Sequence, residues 1–589
     1  MKKTNNPTKK IMLIAAVCGI RVLLASQSFA QAPVSWTSYY EVGDNSINFS
    51  TGQPDPVVNL RSIAYNPINN NVYVYGAKLF NLPAQPSGLV FTKELGVVQY
   101  DNTGAVVASV HDIHHDGTTL IPRYDEPGEM AIAADGSVYV TGKRYYNDIY
   151  LYDMVVIKYS SALVEQWRYY FYSPGAANDS GVAIVIEPST GNIIVAGQLG
   201  DNGTGTGADF ITAKLTPSGS LVWKKVYNTA GTQNDYPADV ALSTSTGDIY
   251  VTGYSVSAST GNQYTLFKYT SSGVKKWTRY YNYSAVTTGS DIANSVAVDP
   301  DINRIYITGT SFNNSGNSDI ATLAYNEAGT RLWLKRINNP GDSRDRGVKV
   351  TLSQSLVHVG GDVDRDITPN INGDLLCKVY DSSGVVFRTK KYNGSGYNCE
   401  FGDLAVSAAG TIYMTGWCAG AVVPPAHGTY SLMTVKYSGT GAFQWSDFLV
   451  PTDFGCGDGY YGFRLALNTA TSEAAVGGRH WKGCPGSHPH EYITRRYSPT
   501  LRESEMVSKN ENNQALRVKL FPDPAQDHVT IETNQSCNIQ VADISGKIIF
   551  DEKNISSSFN LNTSQWNRGV YTVIMHNGQE RIVRKLVLQ

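Results

Sequence analysis

Apolar residues recur along this chain in short bursts rich in Val, Ile and Tyr, separated by Gly, Asn, Asp and Ser turns. Bursts of this kind predict strands in sheets buried on both faces. One burst repeats. "NNVYVYG" ends at Gly76, "GSVYVTG" at Gly142, "GNIIVAG" at Gly197, "GDIYVTG" at Gly253, "NRIYITG" at Gly309 and "GTIYMTG" at Gly416. "SLVHVGG" contains Gly360 and "SEAAVGG" contains Gly477. The interval is about 51 to 66 residues, which suits propeller blades with loops of variable length.

Each repeat has the same internal order. A first strand places Ala between two apolar residues, as in "VAI" (182–184), "VAL" (240–242), "VAV" (296–298) and "LAV" (404–406). A small residue fits there because the innermost strands of a propeller converge. The glycine strand is second. A third strand ends in Lys-Tyr, as in "MVVIKY" (154–159), "YTLFKY" (264–269) and "LMTVKY" (432–437). The fourth carries an aromatic: Trp167, Trp223, Trp277, Trp333, Phe387 or Trp445. In the first repeat the region of Val107 takes that place.

The last repeat lacks a fourth strand after "EYITRRY" (491–497). Near the N-terminus, "VSWTSYY" (34–40) resembles "KKWTRYY" (275–281), so Trp36 is expected to complete the last blade. That pairing removes two sheet edges and favours a ring over a stacked solenoid. Eight glycine strands and eight fourth strands predict an all-β, eight-bladed β-propeller; seven blades with one degenerate unit is the alternative. The repeats, over about 35–500, resemble the repeat family of secreted bacterial β-propeller proteins. The resemblance implies a fold and leaves activity open.

Composition changes the picture in one respect. The net charge is −2 and only 17% of residues are charged, which excludes the electrostatic footprint of a nucleic-acid binder. The N-terminus reads as a signal peptide over 1–30: Lys2, Lys3, Lys9 and Lys10, then the apolar run "IMLIAAVCGI", then "SFA" before Gln31. No later segment has the ~18 apolar residues that a membrane span requires.

The propeller is expected over 31–498 and a polar linker over 499–516. From 517 to 589, alternating apolar residues between Gly and Asn turns predict a small β-sandwich. Several of its residues resemble the type A C-terminal sorting domain of the type IX secretion system. Pro522 and Pro524, with Asp527, match its entry motif. Asp543 and Gly546 match its hairpin, Gly569 and Tyr571 its inner strand, and Lys585 with Leu586 its last strand. Asp523 departs from the usual Asn between the prolines. The resemblance implies a Bacteroidota-type host, with a translocon and a sortase as partners. It also implies a product that is either secreted or attached to surface lipopolysaccharide.

Candidate chemistry falls on the loops between strands two and three and between blades, which are long and varied. Cys399 and Cys418 flank one hairpin, and Cys456 and Cys484 flank the next. Two disulfides are expected, each stabilising by roughly 2–4 kcal/mol. Cys377 is expected to be a buried thiol, and Cys537 has no evident partner. Asp362, Asp364 and Asp366 alternate in a loop that could wrap Ca²⁺ or simply be solvated. "HDIHHDG" (111–117) gathers imidazoles and carboxylates, a weak Zn²⁺ signal. Lys349 replaces a small residue near the axis, where it could meet a channel ligand or a local ion pair. Acidic residues recur before third strands (Asp153, Asp209, Asp319, Asp374, Glu491) and are expected to fix loops.

Tyr145, Tyr146, Trp417, His480 and Trp481 are candidate platforms for a sugar ring. No nucleophile elbow, phosphate loop or Zn-hydrolase helix is found. The expected function is a non-enzymatic binding or adhesion module for an extracellular glycan or protein, requiring no cofactor beyond optional Ca²⁺. The alternative is a polysaccharide lyase or hydrolase on the same scaffold.

Overall fold

The computed structural model describes residues 34–41, 60–81, 91–112, 124–147, 151–173, 177–200, 207–228, 233–257, 259–283, 290–313, 317–338, 345–363, 373–393, 398–419, 430–449, 459–481, 491–498, 518–521, 527–533, 536–543, 547–555, 558–576 and 581–588. The signal segment, the linker, Pro522, Pro524, Gly546, Asp364, Asp366, Cys456 and Cys484 lie outside them. The chain divides into two compact units, 1–500 and 501–589.

The larger unit is all-β. Six four-stranded antiparallel sheets follow one another over 60–111, 126–171, 180–227, 235–281, 292–337 and 346–392. An eight-stranded sheet follows. Its two halves cover 398–449 and 459–497, and a single parallel bridge, Tyr430 to Gly459, joins them. We number these repeats 1 to 8 in chain order. In repeats 1 to 7 the strands run 1-2-3-4. In repeat 8 the fourth place is taken by Val34–Glu41, antiparallel to Glu491–Tyr497 with Trp36 opposite Arg496.

First strands lie side by side from repeat to repeat. Leu60–Tyr65 in repeat 1 neighbours Glu126–Ile132 in repeat 2, and the series continues to Gly459–Leu467 in repeat 8, which again neighbours Leu60–Tyr65. Four-stranded meanders with adjoining first strands make the fold propeller-like.

Side-chain alternation holds the repeats together. In the second strand of repeat 1, Val72 and Val74 pack against Trp36, Ala475 and Tyr492 of repeat 8. Tyr73 and Tyr75 point the other way and pack against Met130 and Val140 of repeat 2. Each of these second-strand side chains thus has an apolar neighbour on one face or the other. Full burial of such a side chain contributes roughly 1.5–3 kcal/mol.

The fourth-strand tryptophans bolt neighbours together. The indole N–H of Trp167 donates to the Pro217 carbonyl at 3.0 Å, and Trp223 to Ser271 at 3.1 Å. Trp277 donates to Glu327 at 3.0 Å and Trp333 to Ser382 at 3.1 Å. Each acceptor lies in the turn between strands three and four of the next repeat. The ring then covers that turn's glycine. A Cβ on Gly219 would lie 2.7 Å from Trp167, and one on Gly273 2.7 Å from Trp223. These glycines also have φ of +88° and +80°, so both sterics and backbone require glycine there. The Trp36 ring covers Gly104 of repeat 1 in the same way, again at 2.7 Å, although its indole N–H is buried with no hydrogen-bond partner among the described residues.

The smaller unit has two sheets. Val518–Phe521, His528–Thr533 and Ser558–Asn562 form one, and Ile548–Ile555, Cys537–Ala542, Gly569–His576 and Arg581–Leu588 the other. Val529, Ile531, Val541, Leu561, Val573 and Leu586 fill the core between them. The period-two alternation puts these residues on the inner faces.

Candidate functional site

A buried carboxylate recurs at the start of the first strands. Asp125, Asp179, Asp235, Asp291 and Asp345 stand at matching places in repeats 2 to 6 and are all nearly inaccessible. Their backbone N–H groups donate to carbonyls at the start of third strands: Asp125 to Lys93 at 2.9 Å, Asp179 to Tyr152 and Asp235 to Ala208 at 2.7 Å, Asp291 to Asn262 at 3.1 Å, and Asp345 to Ser318 at 2.8 Å.

The carboxylates also gather loop feet. Asp179 accepts from Ser173 N–H and Gly200 N–H, both at 2.7 Å. Asp291 accepts from Tyr283 N–H at 2.9 Å and Phe312 N–H at 3.1 Å. Asp125 accepts from Tyr145 N–H at 2.9 Å. At Asp179 and Asp291 one carboxylate thereby ties the loop leaving strand four to the hairpin after strand two. Burial raises the pKa of each of these three, that of Asp125 to about 7.

Repeat 7 uses different chemistry at the same place. Cys399 occupies the aspartate position, with its N–H on the Gly373 carbonyl at 2.8 Å. It is joined by a disulfide to Cys418, its register partner on the second strand. Among the described residues Cys377 and Cys537 are free and buried. Burial pushes the Cys377 thiol up to about 12, which makes it inert.

Just beyond the clamp position, every first strand carries a register break. It falls between Leu60 and Ser62, Pro127 and Met130, Gly181 and Ala183, and Pro237 and Asp239 in repeats 1 to 4. It falls between Ala293 and Ser295, Gly347 and Lys349, Phe401 and Asp403, and Gly462 and Arg464 in repeats 5 to 8. Bulges re-aim side chains, and here they present charges on the innermost strands: Arg61, Glu129, Asp239, Lys349, Asp403 and Arg464. Asp239 accepts from Ser295 Oγ at 2.9 Å and Val296 N–H at 3.0 Å in the next repeat. Asp403 accepts from Leu465 N–H in the same manner at 2.9 Å. Lys349 Nζ lies 4.0 Å from Asp239 Oδ2, an ion pair that skips one repeat. Asp239 raises the lysine's pKa.

Several sequence candidates turn out differently. Asp362 is not a loop ligand. It lies in the strand Leu356–Val363, fully buried, paired with Arg346 at 2.8 Å and accepting the Phe401 N–H. Among the described residues no cluster of His, Cys, Asp or Glu is arranged to hold a metal ion. Tyr145 is buried edge-on against Tyr152 and covers the sheet end instead of offering a platform. His480 is also buried, between Tyr460 and Glu491, with Nδ1 3.0 Å from the carboxylate. Trp417 is half-buried, edge-on to Tyr430. Tyr146 and Trp481 lie in the strands Val138–Asn147 and Ala474–Trp481, with their side chains outside the described residues.

Within the "HDIHHDG" stretch, Asp112 is bound by Arg144 at 2.8 Å and Arg168 at 3.1 Å. His111 meets the Tyr40 hydroxyl at 2.8 Å. Burial, helped by Lys78, lowers the His111 pKa to about 4. Of the acids before third strands, Asp319 pairs with Arg336 at 2.6 Å, Asp374 with Lys391 at 3.0 Å and Glu491 with His480. The sequence reading missed the aspartates before first strands, although their spacing of about 54–56 residues matches the blade period.

In the smaller unit, the backbone of Asp527 accepts from Thr563 N–H at 2.8 Å, and Asp543 caps its hairpin by accepting from Lys547 N–H at 3.1 Å. The Tyr571 hydroxyl donates to the Asn567 carbonyl at 2.6 Å, beside the start of the Gly569–His576 strand. Lys585 lies in the last strand, with its side chain outside the described residues.

The chain is thus an all-β, propeller-like protein with a separate C-terminal sandwich. Residues 519–589 match the family described as a secretion system C-terminal sorting domain. This domain directs the protein to secretion and cell-surface attachment through the type IX system, and it implies interaction with that machinery. No curated protein matches the chain. Among solved structures, the chain is similar to the β-propeller domain of a trilobed protease from Pyrococcus furiosus, at 10% identity, covering 66% of this chain and 98% of that one, with a TM-score of 0.35. It is similar to a puromycin hydrolase mutant at 11% identity, covering 77% and 62%, with a TM-score of 0.39. It is also similar to a bacterial surface component of the type IX secretion system of Porphyromonas gingivalis, at 11% identity, covering 90% and 82%, with a TM-score of 0.16. No helix among the described residues is long and apolar enough to cross a membrane.

Proposed function

We propose that the exported protein is a closed, eight-bladed β-propeller of the secreted bacterial repeat type, acting as a non-enzymatic binding module for an extracellular glycan or protein. Closure is supported by the Val34–Glu41 pairing and by the Trp36 ring on Gly104, the ring-on-glycine part of the contact that links earlier neighbours. The sorting domain is then removed by a sortase, and the propeller is released or joined to surface lipopolysaccharide.

The clamp before the first strands carries the binding reading. It anchors the feet of varied loops from below at Asp125, Asp179 and Asp291, and by disulfide at Cys399. Varied loops with fixed feet present different chemistry without losing their geometry, which is what recognition needs. A glycan-array screen paired with polysaccharide digestion tests it. Binding without new reducing or unsaturated ends is expected. Release of such ends would assign a lyase or hydrolase instead.

A further inference from the structure

The fourth strands are the outermost of each repeat, and charge is spread unevenly among them. Those of repeats 3 to 6 read "LVWKKVY", "KKWTRYY", "RLWLKRI" and "VFRTKKY", with eleven Lys and Arg and no Asp or Glu. The other four, "VVASVH", "EQWRYYF", "FQWSDFL" and "VSWTSYYE", hold one Arg and three acids. This place in the fold therefore does not demand cations. Lysine protects the open edge of a sheet from pairing with another chain, yet repeats 1, 7 and 8 do without it.

The four basic strands form one surface. The Tyr227 hydroxyl of repeat 3 meets that of Tyr280 in repeat 4 at 2.7 Å, and Lys275 Nζ lies 3.8 Å from the centre of the Tyr227 ring. Arg279 Nε donates to the Gly329 carbonyl at 2.6 Å, in the turn that leads into the fourth strand of repeat 5. Trp333 makes the corresponding link from repeat 5 to Ser382 of repeat 6 at 3.1 Å.

Part of the charge is answered within the protein. Arg336 pairs with Asp319 at 2.6 Å and Lys391 with Asp374 at 3.0 Å. Lys224, Lys225, Lys276 and Arg331 are exposed, and among the described residues none of them makes a hydrogen bond or an ion pair. The acids of the adjoining turns are engaged elsewhere. Glu327 meets Lys268 at 3.2 Å, and Asp381 accepts from Ser383 N–H at 2.8 Å and Val385 N–H at 2.9 Å in its own turn. A run of one sign over neighbouring strands is self-repelling and attracts anions.

Shape decides the kind of anion. In a closed ring of eight, four consecutive outer strands curve round nearly half the circumference. A flat membrane, or the face of a compact acidic protein, touches such a convex rim over one or two blades. A flexible chain charged along its length can follow all four. Single-stranded nucleic acid has that form, but it is held largely by bases stacking on aromatic rings. The indoles of Trp223, Trp277 and Trp333 already cover Gly273, Gly329 and Gly384. On a protein carried to the cell surface, the remaining flexible polyanion is an acidic glycan.

Resting on the closed-ring reading above, we infer that the outer rim of repeats 3 to 6 binds an acidic polysaccharide, whose carboxylates lie along Lys224, Lys225, Lys276 and Arg331.

The test is isothermal titration of the full exported chain with polygalacturonate at low salt. Dextran is the neutral control, and single-stranded oligothymidylate and phosphatidylglycerol vesicles are the competing polyanions. Polygalacturonate should bind and dextran should not. Trigalacturonate, too short to span the rim, should bind at least about tenfold more weakly. Physiological salt should weaken binding severalfold. Replacing Lys224, Lys225, Lys276 and Arg331 together with Gln should weaken it at least about tenfold. The pair Lys224→Gln and Lys225→Gln, at one end of the rim, should weaken it less. Unfolding midpoints of the variants report that each remains folded. No binding of polygalacturonate, equal binding by the folded fourfold variant, or tighter binding of oligothymidylate or of the vesicles overturns the inference. If a glycan or protein still binds the loop face in that case, the proposed function stands and only the rim assignment falls. If polygalacturonate binds the rim and nothing binds the loops, the rim stands and the loop-face reading falls.

Discussion

Repeats 5 and 7 solve the same problem with different chemistry. In repeat 5, Asp291 ties the Tyr283 and Phe312 backbones together by hydrogen bonds. In repeat 7, the Cys399–Cys418 disulfide occupies that place. Both fix the start of a first strand to the hairpin after the second. The hydrogen-bonded clamp answers to pH and the covalent one to reductant. A fold that repeats its geometry need not repeat its chemistry, provided the register is kept.

The largest expected effect is on the covalent clamp. Replacing Cys399 and Cys418 with Ser should cost about 2–4 kcal/mol of unfolding free energy. Denaturant unfolding with and without reductant checks it, and the double variant should no longer respond to reductant. Breaking the polar clamp should cost less. Asp291→Ala leaves the Tyr283 and Phe312 amides without their acceptor, at about 1–3 kcal/mol, and reductant should not change that cost.

The third test uses pH. The Asp125 carboxyl is raised from 3.8 to about 7, chiefly by burial. Its contribution to stability is therefore fully present below the unfolded value of about 3.8 and is lost as pH rises from there through about 7, at up to roughly 1.4 kcal/mol per pH unit. Asp125→Asn should flatten that fall, so the gap between wild type and variant in unfolding free energy changes between about pH 4 and pH 8. A constant gap contradicts the assignment. The disulfide clamp has no such dependence. The smallest effect belongs to Lys349→Met. Its ion pair with Asp239 is 4.0 Å long and the side chain is 38% exposed, so the change should stay below about 1 kcal/mol.

These differences also show what the sequence made legible. The second-strand glycine, the fourth-strand Trp and the likeness of 34–40 to 275–281 are local patterns, and each is found in the sheets. The sorting domain was readable because its motifs lie in order within one short segment. The clamp aspartates were readable in principle, since Asp179, Asp235 and Asp291 keep the period, but the acids before third strands drew attention first. The charges at the first-strand register breaks were not readable beyond Lys349. Their sign changes from repeat to repeat, and only the register breaks show that Arg61, Glu129 and Arg464 share one place in their strands. Tyr145 and His480 misled because an aromatic beside a loop can cover a sheet end as easily as face a ligand.

The central claim is a ring whose last sheet is completed by the strand Val34–Glu41. Hydrogen–deuterium exchange of the full exported chain, followed by peptide mapping, tests it most directly. The alternate amides of Val34–Glu41 that face Glu491–Tyr497 should exchange slowly, because the two strands share one ladder, while the other amides of this edge strand have no ladder partner. Fast exchange of every amide in the first segment beside slow exchange in the second would contradict closure.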